Sequence, residues 1–187
     1  AFLYSEKGYF DNSTGSIIKN IKLFFNYLNK ELLLEIGEFH KSFYVRKEEI
    51  PIIALLPEEL NYLIYDVSFE ASLTKRLKEA KDFFVFGCTV GLRFSDLIKL
   101  DRTNIRIIND NWWLVVRAKK TGTDILTKLP DYAKNIIAKY EARGKKLLPT
   151  FNNSNCSKYL KKLMYAAGFT HEVSKFREKR GKQIQLS

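Results

Sequence analysis

Five stretches of the sequence repeat apolar residues with the spacing of an amphipathic helix. The first spans about residues 12–34, where Ile17, Ile21, Phe24 and Leu28 fall on one face. Four further stretches combine similar spacing with helix-start or helix-end residues. They predict helices at LPEELNYLIYDV, TKRLKEAKDFFVFGC, PDYAKNIIAKYEARG and NSNCSKYLKKLMYAA.

Turn-forming residues mark the ends of these helices. Pro57 and Pro130 suit a first helical turn, because the N–H that proline lacks would stay unpaired there. Glycine readily adopts the left-handed conformation that follows many helices, so Gly144 and Gly168 are predicted to end the last two. Residues 37–54 lack a helical period and contain a proline, which predicts an extended connector.

Between residues 104 and 130 the pattern changes to short runs of β-branched and aromatic residues. The runs occur in NIRIIND, NWWLVVRAKK and TGTDILTKLP, and turn residues separate them. Such an alternation predicts a small antiparallel meander. We therefore expect an α+β fold that is mainly α-helical, with a three-stranded antiparallel sheet in the middle of the chain.

Composition narrows the possible functions. The chain has 187 residues, of which 45% are hydrophobic, enough for the core of one domain or slightly more. No apolar run approaches the ~18–20 residues of a membrane span, so we expect no membrane partner. Neither His40 and His171 nor Cys88 and Cys156 have metal-ligand spacing, so we expect no metal and no other cofactor. The histidines are expected at the surface, and the cysteines as small buried hydrophobes in a reducing compartment.

The charge of the chain is positive and uneven. The formal net charge is +11. Residues 142–187 hold eleven lysines and arginines against two glutamates, a balance of +9 that leaves +2 for the first 141 residues. A solvated basic tail is the simpler interpretation. A phosphate-binding surface, as nucleic-acid binding requires, is the alternative that the uneven distribution favours.

Arg93 lies at a junction in the segment VGLRFSDLIKL. Gly91 permits a tight turn before it, and Phe94 and Leu97 begin an apolar helical face after it. An arginine near a helix N-terminus can bind a phosphate through two parallel hydrogen bonds. From composition alone, an exposed ion pair with Asp96 is the more ordinary interpretation.

Lys120 lies in AKKTGTD, at the turn between the second and third predicted strands. A lysine at the tip of a hairpin can enter a DNA groove and deliver a proton to a leaving oxygen. Turns commonly carry exposed lysines that only interact with water, so Lys120 alone does not distinguish the two roles.

The order of these features resembles the tyrosine recombinase (phage integrase) family, and most of all the integrases of mobile elements in Bacteroidetes. The resemblance covers roughly residues 10–170. Its segments are STGSIIKNIKLFFNYL as the last helix of the core-binding domain, LLPEEL as the start of the catalytic domain, FGCTVGLRFSDL, KTGT followed by LP, and NNSNCSKYLKKLMYAAGF before the second catalytic box. Val90 departs from the threonine that is more frequent there.

The resemblance implies a reaction and assigns residues to it. In that family a tyrosine attacks the scissile phosphate of duplex DNA without a metal, forming a 3′-phosphotyrosyl link and releasing a 5′-hydroxyl. Arg93 matches the first catalytic arginine, Lys120 matches the lysine that protonates the 5′-oxygen, and Asp96 matches the acidic residue that supports the arginine's helix. Further cations are expected to contact DNA: Lys119, Arg143, Lys145, Lys146, Lys158, Lys161, Lys162, Lys175, Arg177, Lys179 and Arg180.

The last catalytic elements of the family have no match in the chain. The segment THEVSKFREKRGKQIQLS has no His-x-x-Arg box, because Ser174 stands three residues after His171, and the last tyrosine, Tyr165, precedes the expected box. With Ala1 as the first residue, we expect an internal fragment that is inactive alone. Its parent would integrate or excise a mobile element in the bacterial cytoplasm, at the nucleoid. Because members of the family assemble as tetramers on DNA, the resemblance implies that the parent is a tetramer. It leaves open a monomeric state of the fragment.

The resemblance also divides the chain. Residues 1–40 would be the C-terminal helix of a core-binding (SAM-like) domain, residues 41–56 a linker, and residues 57–187 an incomplete catalytic domain. Two other interpretations stay open. One is a non-catalytic DNA-binding relic or regulator with a recombinase-like scaffold, and the other is a basic domain that does not bind nucleic acid.

Overall fold

The helices and the central sheet follow the order expected from the sequence, with one additional hairpin near the C-terminal end. The computed structural model describes residues 2–117, 120, 122–140, 144, 146–171 and 173–186. Within them the helices are α1 (Phe2–Ser5), α2 (Asp11–Lys30), α3 (Pro57–Tyr65), α4 (Val67–Ser72), α5 (Lys75–Val90), α6 (Phe94–Leu97), α7 (Asp131–Lys139) and α8 (Asn153–Ala166). The strands are β1 (Ile105–Ile108), β2 (Asn111–Arg117), β3 (Asp124–Lys128), β4 (Lys175–Lys179) and β5 (Lys182–Leu186). Two 3-10 turns cover Phe39–Ser42 and Arg102–Asn104.

The chain divides into two compact units. The first comprises Ala1–Ala54 and Glu172–Ser187, and the second comprises Leu55–His171. This division differs from the predicted one. The connector up to residue 54 belongs to the first unit, and the β4–β5 hairpin folds with the N-terminal helices, whereas the sequence predicts residues 57–187 as one domain.

Two buried carboxylates hold the β4–β5 hairpin in the first unit. Asp11, the first residue of α2, accepts hydrogen bonds of 2.7 Å from the backbone N–H groups of Arg180 and Gly181 in the hairpin turn. Glu48 accepts a hydrogen bond of 2.7 Å from the guanidinium of Arg177 on β4. Asp11 is 1% exposed and Glu48 is 3% exposed. These contacts therefore supply the donors that buried charges require, and they explain why the hairpin belongs to the first unit.

Helix α5 forms the centre of the second unit. Its side chains Ala80, Phe83 and Phe86 are almost fully buried. The rings of Phe94, at the start of α6, and of Phe151 meet Phe83 edge-on, with centroids 5.7 and 5.5 Å away. The core of this unit therefore surrounds α5 and includes the helix that follows Arg93.

The predicted helix ends are only partly correct. The first helix ends at Lys30 and not near residue 34, and Pro130 precedes α7 instead of lying in its first turn. Pro57 occupies the first turn of α3, and Gly168 follows α8 with φ +77°. The prediction that Gly144 ends α7 is wrong, because α7 ends before Tyr140, which leaves helical geometry with φ −107°. The physical reason is tertiary: the buried Tyr140 hydroxyl donates a 2.8 Å hydrogen bond to Asp82 of α5.

The central sheet is the predicted three-stranded antiparallel meander. Its order is β1-β2-β3, with Ile105 opposite Leu114 and Trp113 opposite Lys128. Leu114 and Val116 of β2 point into the core, because alternate residues of a strand share a face. The predicted α+β fold class is therefore confirmed.

The expectations for the histidines and cysteines are only partly correct. His171 is exposed and Cys156 is buried, as expected. Cys88 is exposed, because it lies on the outer side of α5. His40 is fully buried in the 3-10 turn, where its Nε2 lies 2.8 Å from Asn26 Oδ1. This amide partner lies fourteen residues earlier, on α2, so the residue's own neighbours in the sequence gave no sign of burial.

A buried ion network links three helices of the second unit. Lys81 of α5 is 3% exposed, and its ammonium lies 2.8 Å from Glu70 Oε2 and 3.7 Å from Asp82 Oδ1. Lys139 of α7 lies 2.7 Å from the other oxygen of Glu70. Partial burial opposes ionisation of Glu70, but the hydrogen bonds from Lys139 and Lys81 outweigh it and lower its pKa to about 2. Glu70 therefore stabilises the folded state only while it is ionised.

We predict that this network makes stability depend on pH. The folded-state pKa of Glu70 is lower than the unfolded value, so its contribution is complete above about pH 4.5 and is lost as the pH falls toward 2. Urea unfolding should give a free-energy difference between wild type and Glu70→Gln that shrinks across this range. Glu58→Gln, at an exposed position of α3, is the control and should parallel wild type. A Glu70→Gln curve that also parallels wild type contradicts the prediction.

Candidate active-site cleft

Hydrogen bonds hold the backbone of Arg93, whereas its side chain is exposed to solvent. Gly91 turns the chain with φ +64° after α5, and Arg93 then stands at the N-cap of the four-residue helix α6. Its carbonyl accepts hydrogen bonds of 2.9 Å from the N–H groups of Asp96 and Leu97. The side chain of Arg93 is exposed, whereas Asp96 is 6% exposed. Among the described residues, nothing forms an ion pair with Arg93, so the ordinary Arg93–Asp96 pair is not observed.

A glycine in α5 allows α6 to pack closely. Leu97 of α6 is 4% exposed and lies against Gly87. A Cβ atom at position 87 would come within 3.1 Å of Leu97 Cδ2, closer than side chains normally approach. A side chain at position 87 would require Leu97 to shift by a few tenths of an ångström, and the contact holds the helix that begins after Arg93 on the core.

Lys120 lies in the turn between β2 and β3, as predicted. The last paired residues before the turn are Arg117 and Asp124. Lys120 is exposed, and Gly122 follows with φ +67°, a conformation that favours glycine. Lys119, the other candidate in this turn, lies outside the described residues.

Helix α6 and the β2–β3 turn border one cleft of about 420 Å³. This α6–sheet cleft is lined by Asp96, Lys99, Asn104, Val116, Arg117 and Gly122. Asp96 lies three residues after Arg93, and Gly122 lies two residues after Lys120. The structure therefore brings the segments of both candidate catalytic residues to the same cleft.

Two cations that border this cleft have no recognisable signal in the sequence. Lys99 and Arg117 are exposed, and within the described part of the chain neither forms an ion pair. Lys99 follows α6, and Arg117 ends β2. They meet only because the sheet packs beside α6, a tertiary arrangement that local spacing does not reveal. Their charges give the rim of the cleft a positive potential.

The cations expected to contact DNA are distributed over both units. Lys158, Lys161 and Lys162 are exposed on α8 of the second unit. Lys146 donates weak hydrogen bonds of 3.4 Å to two backbone carbonyls, those of residues 98 and 99. The residues on or beside β4 in the first unit are Lys175, Arg177, Lys179 and Arg180. Arg143 and Lys145 lie outside the described residues. The DNA-binding role of every one of these cations stays a prediction.

The described residues contain no group of three or more histidine, cysteine or acidic side chains that could hold a metal ion. In the same part of the chain, no helix is long and apolar enough to cross a membrane. Partial desolvation by neighbouring atoms raises the pKa of the Cys88 thiol although the residue is exposed, and burial raises the pKa of the Cys156 thiol, which disfavours the thiolate in both.

We predict that Asn104 supports the shape of the cleft. Its amide donates a 3.1 Å hydrogen bond to the carbonyl of Val115 on β2, and its side-chain oxygen accepts one of 3.0 Å from the N–H of Asp101. Asn104→Ala leaves both groups without this partner and should lower the free energy of unfolding by about 1–3 kcal/mol in urea. Asn135→Ala, at an exposed position of α7, should change it much less. Equal losses in the two variants contradict the prediction.

Comparison with known proteins identifies the fold. No family model matches the chain, and no curated protein matches it. A lambda integrase tetramer bound to a Holliday junction matches over 90% of this chain and 51% of its own, with 19% identity and a TM-score of 0.63. A lambda integrase dimer bound to a COC′ core site matches over 90% of this chain and 63% of its own, with 18% identity and a TM-score of 0.63.

The XerH site-specific recombinase bound to its difH substrate, in a pre-cleavage complex, matches over 80% of this chain and 46% of its own, with 13% identity and a TM-score of 0.54. The chain thus spans about half to two thirds of the length of these structures. The proteins that it matches are integrases and site-specific recombinases. The chain has the fold of the tyrosine recombinase catalytic domain, as the sequence resemblance predicts.

Proposed function

We propose that this chain is part of a site-specific DNA recombinase of the tyrosine recombinase family, and that it supplies Arg93 and Lys120 to the site of strand cleavage. One observation carries the proposal. The α6–sheet cleft is bordered by the helix that Arg93 precedes and by the turn that contains Lys120, within a fold shared with DNA-bound integrases.

The chemistry of the two side chains suits phosphoryl transfer. A tyrosine hydroxyl attacks the phosphorus, the bond to the 5′-oxygen breaks, and the phosphate becomes linked to tyrosine at its 3′ side. The Arg93 guanidinium binds the non-bridging oxygens, where negative charge grows in the transition state. Lys120 gives its proton to the departing 5′-oxygen. Rejoining is the reverse reaction. The proposal assigns the nucleophile to none of the ten tyrosines of this chain.

The proposed partner is duplex DNA in the bacterial nucleoid. The net charge of +11 and the exposed cations Lys99 and Arg117 at the cleft support a polyanionic partner. The three matched structures hold a Holliday junction, a COC′ core site and a difH site. We propose a tetramer as the active assembly of the whole protein, by analogy with the lambda integrase tetramer.

We predict that this chain binds duplex DNA through phosphate contacts at the cleft. The logarithm of its affinity should fall linearly with the logarithm of salt concentration, and replacing Lys99 and Arg117 by alanine should reduce the slope by about 1.8. Fluorescence anisotropy with a labelled duplex at several salt concentrations measures both quantities.

A control variant removes the same charge elsewhere. Lys41→Ala with Lys134→Ala deletes two lysines that already form ion pairs with Glu38 and Asp131. This variant should keep the wild-type slope. An unchanged slope in the Lys99 and Arg117 variant removes the cleft from the DNA interface, and absence of duplex binding at low salt contradicts the proposed function.

We predict that the two catalytic assignments respond differently to the leaving group. In the complete recombinase that we propose includes this chain, Lys120→Ala should cleave an ordinary DNA strand slowly and a 5′-thio strand at nearly the wild-type rate. A thiolate leaves without protonation, so the general acid is not needed. Arg93→Ala should lose about 10²–10³-fold in rate on both strands, because its charge acts on the phosphate itself.

These two variants serve as controls for each other. Failure of the 5′-thio strand to restore cleavage by Lys120→Ala removes Lys120 from the role of general acid. Near-normal cleavage by Arg93→Ala removes Arg93 from the catalytic site. A complete protein that binds DNA and never cleaves it supports the non-catalytic regulator instead.

A further inference from the structure

The β4–β5 hairpin carries both glutamines of the chain. Gln183 and Gln185 are two residues apart on β5, so their side chains lie on the same face of the hairpin. Both are exposed. The residues opposite them on β4 are Glu178 and Phe176. Among the described residues, none forms a hydrogen bond with either glutamine amide.

The hairpin is strongly basic. Residues 173–186 contain five cations and one acidic residue, Glu178, a net charge of +4. The cations are Lys175, Arg177, Lys179, Arg180 and Lys182. Arg177 is occupied by Glu48 and by the ring of Phe10, whose centroid lies 4.5 Å from the guanidinium carbon, and the guanidinium carbon of Arg180 lies 5.5 Å from the centroid of the Tyr4 ring. The three lysines lie on the face of the hairpin opposite the two amides, because they alternate along the strands with the glutamines and with the residues paired to them.

The contacts that hold the hairpin leave one strand free. Asp11 binds the turn, and Glu48 binds β4 through the side chain of Arg177 and the backbone N–H of Glu178. In its sheet, β5 pairs with β4 alone. The glutamines therefore belong to the strand that the two carboxylates do not hold, on a hairpin that is rigidly attached at its turn and at its other strand.

We propose that the β4–β5 hairpin enters the major groove of duplex DNA as a two-stranded ribbon, and that Gln183 and Gln185 read base edges there. The major groove is wide enough for such a ribbon, and a glutamine amide can form paired hydrogen bonds with N6 and N7 of adenine. The long side chains of the lysines on the other face of the ribbon would contact phosphates at the walls of the groove and fix register. This inference rests on the proposed function, because it adds sequence recognition to a protein that acts on DNA.

Duplex DNA fits this surface better than a protein partner. The hairpin combines a net charge of +4 with amides and few exposed aromatic side chains, whereas protein interfaces favour aromatic residues at their centre and are depleted in lysine. Rigid attachment also suits base reading, because the recognising groups need a fixed orientation.

The first experiment selects preferred sequences with the full chain. A pool of duplexes with a randomised central segment is bound and amplified repeatedly, and the enriched duplex is compared with a scrambled one. We expect wild type to prefer the enriched duplex, and the double variant Gln183→Ala, Gln185→Ala to lose about tenfold or more of that preference. Lys182→Ala is the matched control on the same strand and should weaken binding to both duplexes equally.

The second experiment removes the base atom that the amides would contact. Adenines of the enriched duplex are replaced by 7-deazaadenine, which lacks N7 and alters only the major groove. Wild type should bind the substituted duplex more weakly than the original one. The double glutamine variant should bind the two duplexes equally well. Circular dichroism checks that the variants remain folded, which is expected because both side chains are exposed.

The outcomes separate this inference from the proposed function. If wild type binds duplexes with a steep salt dependence but enriches no sequence, or if the double variant keeps the preference, base reading by the hairpin is wrong and the proposed function stands. If wild type binds no duplex at low salt, both are wrong.

Discussion

The burial of α5 is the constraint on which the position of Arg93 depends. Helix α5 is surrounded by the core of the second unit, and its glycine at position 87 allows Leu97 to approach. The turn at Gly91 then directs the chain back, so that α6 packs against the helix that precedes it. The core therefore holds the backbone of Arg93 in place, while its side chain is exposed to solvent.

The first unit depends on a different interaction. Groups of the hairpin donate hydrogen bonds to two buried carboxylates, those of Asp11 and Glu48. Burial raises the pKa of Asp11, but hydrogen bonds from Tyr4, Gly181 and Arg180 outweigh this and lower it. For Glu48, the hydrogen bond from Arg177 is the main cause of a lowered pKa. Without the hairpin, both groups would be charged and short of donors. The same contacts that attach the hairpin therefore also stabilise the N-terminal end of α2 and the connector.

The sequence predicts most of the fold because the second unit is built from local patterns. Helical periods, the turn residues between β-rich runs, the proline at the start of α3 and the proline before α7 are all signals within a few residues of their effect. The hairpin has a weaker signal. Its strands read KFREK and KQIQL, of which only the second alternates polar and apolar residues, and the donors of the hairpin meet carboxylates 129–170 residues away.

Some residues of the candidate site are likewise recognisable from the sequence, and others are not. Arg93 and Lys120 are recognisable because they stand in segments that resemble a family, whereas Lys99 and Arg117 become neighbours of the cleft only through packing.

The order of folding follows from the long separation in sequence between the hairpin and the carboxylates that bind it. Asp11 and Gly181 must meet across 170 residues, and closure of a long flexible loop is entropically costly and slow. Prior folding of Leu55–His171 replaces most of that loop with a compact body, so the hairpin should attach last.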